Sequence, residues 1–243
     1  MITGLVKMAS ESAKVNAAKA ALLLAKPGMC IGLGTGSTSE LFVKLLAKSN
    51  IKNLTCIPTS LKTADLAHSL GLRVIGFDAA HKIDLAVDGA DAVDGHFNLL
   101  KGMGGALTRE KIVAYRAEKF AVIVDESKMK RQLGGIVPVE ALPFAFSAVA
   151  RELASCASSP PKMRKKPDNT PFRTDSGNYL LDVPIAKISD AAKLEKEINA
   201  LPGVVENGIF TRADLVIVGN ETKSRTLSNK KKFSFPYFLR RRA

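Results

Sequence analysis

Histidine, cysteine and long apolar runs are all scarce in this chain, and each shortage removes a class of function. The cysteines, Cys30, Cys56 and Cys156, lie far apart, form no CxxC pair and are odd in number, so neither a disulfide framework nor a structural zinc is indicated. They read as buried, reduced thiols. The histidines, His68, His81 and His96, are scattered, and none stands at metal-ligand spacing from a cysteine or another histidine. No metal is expected. No apolar run approaches the roughly 20 residues that cross a bilayer, and "MITGLVKMASESAK" lacks the apolar core of a secretory signal. The expectation is a soluble, cytoplasmic protein with no membrane partner. No internal repeat is visible.

Positive charge is plentiful, with a formal net +13, but it is unevenly placed. Residues 223–243 hold eight Lys/Arg and no acid, which leaves 28 bases against 23 acids in the rest. The body is mildly basic, as suits a binder of small anions rather than a specific nucleic-acid partner. The tail "KSRTLSNKKKFSFPYFLRRRA" is expected to be disordered.

Hydrophobic patterning predicts alternating helices and strands. Residues 11–26 form an Ala/Leu/Lys helix stopped by Pro27-Gly28, followed by strands at 29–33, 54–58 and 73–77 that alternate with helices at 37–47 and 61–70. Further strands fall at 83–87, 97–100 and 120–124, with a helix over 106–119. Such alternation marks parallel βαβ units, an α/β fold with an open, mostly parallel, Rossmann-like sheet and helices on both faces. After "GGIVPVEALPFAFSAVARELA" the text changes to a Pro- and Lys-rich loop, a hairpin around Ser176-Gly177 and a helix near 191–200. Residues 138–208 are therefore assigned to a small α+β lid. The strand at 213–219 returns to the main unit of residues 1–137 and 209–222.

The loop "CIGLGTGSTSEL" lacks the GxGxxG spacing of a dinucleotide fingerprint, and the second strand ends in Pro58-Thr59-Ser60 without the ribose-gripping acid. A P-loop GK[ST] is missing too. What remains are glycines, the hydroxyls of Thr35, Ser37 and Thr38, and helix N-terminal amides, which fit one phosphate. A tight turn with Ser37 or Thr38 as helix cap fits equally. Polar clusters recur where other apolar runs end, at "DGAD" (88–91), "KGMGG" (101–105) and "DESK" (125–128). In an open parallel sheet such ends converge on one crevice. Within "GALTREKIVAYRAEKF", Glu110 falls in phase with Ala106, Val113, Ala117 and Phe120, while Arg109 and Lys111 do not. An inward carboxylate needs a partner or a task, so Glu110 is either half of a buried bridge to a lysine or a general base with a raised pKa.

"GLGTGSTS", "VDGADAVD", "LLKGMGGALTREK", "DESK" and "LPGVVENGIF" resemble, in order and spacing, the type A ribose-5-phosphate isomerases over roughly residues 10–220. The resemblance implies a cofactor-independent, metal-free interconversion of ribose 5-phosphate and ribulose 5-phosphate in the pentose phosphate pathway. It implies Glu110 as the base, with Asp88, Asp91 and Lys101 assisting ring opening and stabilising charge. It further implies substrate contacts from Thr35, Gly36, Ser37 and Thr38, from Gly89 and Ala90, from Gly102, Met103 and Gly104, and phosphate contacts from Lys14 and Lys128. Such proteins are commonly homodimers or homotetramers. Two positions depart from the pattern: Ala92 stands where many relatives carry an acid, and Met103 where glycine is frequent. Two rival classes are a sugar-phosphate sensor, which would keep the phosphate loop and lose the base, and an acyl-coenzyme A transferase, which needs a glutamate nucleophile on another loop.

Overall fold

The computed structural model describes residues 10–229. Along the chain, α1 (Glu11–Leu22) leads to β1 (Cys30–Leu33), α2 (Ser37–Ala47), β2 (Thr55–Pro58) and α3 (Leu61–Ser69). Next come β3 (Ile83–Asp88), β4 (Ala92–Val93), β5 (Leu99–Leu100), α4 (Leu107–Arg116) and β6 (Ala117–Asp125). The second half runs through β7 (Gly135–Ala141), α5 (Phe146–Leu153), β8 (Lys162–Met163), β9 (Tyr179–Ile185) and α6 (Ala191–Asn199). It closes with β10 (Val204–Asn207), β11 (Ile209–Phe210), β12 (Leu215–Gly219) and β13 (Ser224–Ser228). Among the described residues no helix is long and apolar enough to cross a membrane.

The main sheet has the order β13-β12-β6-β3-β1-β2, parallel throughout except for the antiparallel β12–β13 pair. Side chains alternate across it. Ile31, Leu33, Leu85, Val87, Ala121 and Ile123 pack under α1, α2 and α3, whereas Phe120, Val122, Val124, Val216 and Val218 meet Val113 and Ala114 of α4 on the opposite face. Covering both faces is what the nearly continuous apolar strands require. The α/β class with helices on both faces is thus observed.

A second, antiparallel sheet, β10-β7-β9-β8, packs with α5 and α6 around Val137, Val139, Leu181, Val183 and Ile198. The small sheet β11-β5-β4 joins the two cores by the same two-residue period: Val93, Leu99 and Phe210 enter the core beneath α4, while their neighbours Ala92, Leu100 and Ile209 enter the core of the second sheet.

Several expectations are corrected. The strand expected at 73–77 is a single bridge, Val74 to Cys56, because its pairing ends with the Ile75 amide on the Cys56 carbonyl and the chain then enters a 3-10 turn at Phe77–Ala79. Of 97–100 only Leu99–Leu100 is strand, since Phe97 turns with φ 66°. The helix expected to reach 119 ends at Arg116: Ala117 opens β6 beside Ile83, and the Arg212 guanidinium takes the carbonyls of Tyr115 and Ala117 at 2.6 and 2.7 Å. The tail is not disordered from 223 onward, because Ser224–Ser228 forms β13 on the outer edge of β12. The remainder of that expectation, 230–243, lies outside the described residues.

Lys111, expected to face outward, is 4 % exposed. Its ammonium lies 2.8 Å from both Glu195 on α6 and Glu206 on β10, and 4.8 Å from the centre of the Phe210 ring. The chain hides this lysine because acids about 85 and 95 residues away converge on it, which no local period reveals. Lys111→Ala would leave Glu195 and Glu206 with neutral donors but without their shared cation, so it is expected to destabilise the fold by about 3–5 kcal/mol, read as a lower urea midpoint at an unchanged m-value.

Candidate active site

The C-terminal ends of β1, β3 and β6, together with the turn after β5, surround a cavity of about 200 Å³. Its wall is made by Lys14, residues 35–39 at the start of α2, Gly89 to Asp91, Lys101, Gly102, Gly104, Glu110, Asp125 and Lys128. The convergence expected from strand ends is present.

Asp88, the last residue of β3, anchors one side. Its Oδ1 accepts from the Thr35 amide at 3.1 Å, the Ser39 hydroxyl at 3.0 Å and the Gly89 amide at 2.7 Å. This seat exists only because residue 34 is glycine, since a Cβ there would overlap the Asp88 carboxylate. The other oxygen, Oδ2, accepts from Lys101 Nζ at 2.8 Å, and Lys101 also donates to the Gly89 carbonyl at 2.6 Å. Glu110, in the first turn of α4, brings Oε2 to 3.3 Å from the same ammonium. That approach is a charge contact off the line of a hydrogen bond, and Oε2 has no hydrogen-bond partner among the described residues. All three side chains are only 3–4 % exposed.

Two carboxylates thus share one buried ammonium. Burial first, then the negative charge of Asp88, pushes the Glu110 carboxyl up to about 8, against the opposing pull of Lys101. For Lys101, burial disfavours the cation, but the Asp88 and Glu110 charges more than offset it and hold the group protonated above the ordinary lysine range. Glu110 lies against a buried lysine, and the same burial raises its carboxyl, so the two alternatives the sequence leaves for this residue do not exclude each other.

Across the cavity α2 begins. Gly36, at φ 122°, is its N-cap, so neither Ser37 nor Thr38 caps the helix, and the first intrahelical bond runs from the Glu40 amide to the Gly36 carbonyl at 2.8 Å. The first amides of the helix are therefore left for an outside acceptor, an arrangement that holds anions. The Thr35 hydroxyl lies 2.9 Å from Thr59, 2.8 Å from Ser60 and 3.2 Å from Thr63, which ties the loop to the end of β2. Lys14 on α1 and Lys128 after β6 add cations to the rim.

Most residues singled out from sequence line this space, with two exceptions. Asp88 sits behind the wall and acts on it through Lys101. The Met103 side chain is 52 % exposed and outside the lining. Its amide instead donates to Asp91 Oδ2 at 3.1 Å, which fixes that carboxylate. Ala92 packs in the second core, which accounts for an apolar residue there. Sequence reasoning missed Ser39 and Asp125. Asp125 opens the "DESK" cluster and Ser39 follows Ser37 by two, so proximity to the motifs was the available signal. Among the described residues no group of three or more His, Cys, Asp and Glu side chains is arranged to hold a metal.

Comparison with known proteins gives the family. The family model described as ribose 5-phosphate isomerase A (phosphoriboisomerase A) matches residues 55–223. Ribose-5-phosphate isomerase A of Thermococcus kodakarensis is 46% identical over 217 residues, covering 86% of this chain and 94% of the relative. That of Thermosynechococcus vestitus is 45% identical over 219 residues, 87% and 92% of the two chains. Among solved structures, ribose 5-phosphate isomerase A of Methanocaldococcus jannaschii superposes with a TM-score of 0.85 at 42% identity over 90% of this chain and 99% of that one. A D-ribose-5-phosphate isomerase in complex with phospho-erythronic acid gives 0.86 at 40% identity over 91% and 99%. In sequence and in fold, the chain belongs to the ribose 5-phosphate isomerase A family.

Proposed function

We propose that the chain interconverts D-ribose 5-phosphate and D-ribulose 5-phosphate through an enediolate, with Glu110 as the base and no cofactor, as a step of the non-oxidative pentose phosphate pathway. The observation that carries this reading is the Glu110 carboxylate. It is buried at the wall of a cavity of about 200 Å³, with one oxygen free of hydrogen bonds among the described residues and a buried ammonium 3.3 Å away. The complex of a 40% identical isomerase with phospho-erythronic acid, a phosphorylated sugar acid, supports the substrate class.

In this reading Lys14, Lys128, the α2 amides and the hydroxyls of Ser37 and Thr38 hold the phosphate, and Gly89, Ala90, Gly102 and Gly104 flank the sugar chain. Asp91 and Lys101, the latter held by Asp88, assist ring opening: Asp91 takes the proton of the C1 hydroxyl as the C1–O bond to the ring oxygen breaks, and passes that proton to the ring oxygen. Glu110 then takes the proton from C2 of the open aldehyde. The released electron pair forms the C1–C2 double bond and places negative charge on O1, which Lys101 faces. Return of the same proton to C1, with the O2 proton passing to O1, leaves the carbonyl at C2. No atoms enter or leave, so a single base and a fixed cation suffice.

Purified protein incubated with ribose 5-phosphate and a chelator is expected to form ribulose 5-phosphate, and binding without turnover would favour a sensor instead. Glu110→Gln keeps the shape and removes the base. Its kcat is expected to fall by about 10²–10⁴-fold with substrate affinity largely kept, and a fully active variant would remove the assignment.

The base works only when ionised, and kcat/KM reports the free enzyme. With the Glu110 carboxyl raised to about 8, kcat/KM should climb roughly tenfold per pH unit below that value and level off above it. In Glu110→Gln this acidic limb should vanish, leaving a flat residual rate.

A raised carboxyl also costs stability as pH rises, because the unfolded chain gives up the proton near the ordinary glutamate value while the folded one keeps it. Glu110→Gln is accordingly expected to raise Tm relative to wild type at pH 8 and above, with little gain near pH 4.5, as measured by thermal unfolding across that window.

A further inference from the structure

The Pro- and Lys-rich stretch after residue 159 reads as a loop, yet Arg164 within it is largely buried and reaches out of the second sheet toward the cavity. Its Nε donates to Asp182 Oδ2 at 3.0 Å and its Nη2 to Asp182 Oδ1, so β9 holds the guanidinium from behind. From the front, Nη1 donates to the carbonyl of Gly102 at 2.8 Å and to that of Met103 at 3.1 Å. These are the two peptides that follow Lys101, in a turn where Gly102 takes φ 101° and Gly105 φ 82°. The Met103 amide in the same turn holds Asp91.

The segment beyond Arg164 continues the same hold. The Phe172 ring fills the space a side chain at Gly105 would need. Thr174 and Asn178 bond Glu140 Oε1 at 2.9 and 2.8 Å, while Thr108 bonds the other oxygen at 2.7 Å. Arg109 reaches the Asp175 carbonyl at 2.9 Å. Residues 102–109, which connect Lys101 to Glu110, are therefore gripped at successive points by one strap from the second sheet.

We propose that Arg164, oriented by Asp182, is a positioning residue for the isomerisation: it fixes the turn that sets Lys101 and Asp91 against Glu110. A guanidinium fork suits the task because it serves a carboxylate and two carbonyls in one plane, which an ammonium cannot do. The inference rests on the isomerase reading above. The phosphate grip lies on other elements, α1, α2 and the turn after β6, so loosening this turn should tax turnover rather than affinity.

Arg164→Lys keeps the charge beside Asp182 and removes the second arm of the fork. Arg164→Met/Asp182→Leu removes both charges and leaves no stranded acid. Each is compared with wild type by Tm and by kcat and KM for ribose 5-phosphate, with Glu110→Gln in parallel. The expected result is a kcat lower by about 10–100-fold, a KM within about threefold and, for Arg164→Lys, a Tm close to wild type. A folded variant with kcat within twofold of wild type, or a loss confined to KM, overturns the proposal. A wild-type chain without turnover or a fully active Glu110→Gln overturns the isomerase reading instead, so the two failures are told apart.

Discussion

The structure is organised around one buried ammonium shared by two buried carboxylates. With Glu110 protonated, Lys101 and Asp88 compensate each other, and the interior holds a balanced pair. Ionising Glu110 adds a second negative charge for the one ammonium, and burial makes that addition expensive. The same imbalance that costs stability supplies a carboxylate eager to take a proton. Much of the surrounding architecture maintains it: the glycine at 34 leaves space for Asp88, three donors saturate one of its oxygens, and Lys101 is held by both a carboxylate and a backbone carbonyl.

The elements that carry these groups are not held by the main sheet alone. Glu110 sits at the start of a helix whose neighbouring side chains are tied to the second sheet: Thr108 to Glu140, Lys111 to Glu195 and Glu206. One face of the small β11-β5-β4 sheet lies in each core, so packing of the two units fixes where Lys101 emerges. Phe210 contributes directly, with the ammoniums of Lys101 and Lys111 lying 5.4 and 4.8 Å from its ring centre.

The sequence made much of this legible because two periods are local. Strand alternation and helical phase depend on neighbours a few residues apart, and they placed the parallel strands, the helices on both faces and the inward direction of Glu110. Strand-end chemistry placed the crevice. What stayed hidden depends on distant partners. Lys111 and Arg164 look like surface cations until the fold brings in the acids that receive them, 84 and 95 residues away for Lys111 and 18 for Arg164. The end of α4 was missed for the same reason, since Arg212, about 95 residues later, satisfies its last carbonyls. Met103 stands out by its motif position, although it is its backbone amide rather than its side chain that holds Asp91.

The short strand β13 has a consequence for solubility. It runs against the direction of every other strand in the main sheet and covers the full length of β12, from Leu215 to Gly219. An uncovered β12 would present an apolar ribbon with a free row of backbone donors and acceptors, the kind of rim that recruits strands from other molecules. With β13 in place that rim is occupied, among the described residues, by a five-residue strand whose side chains are mostly polar.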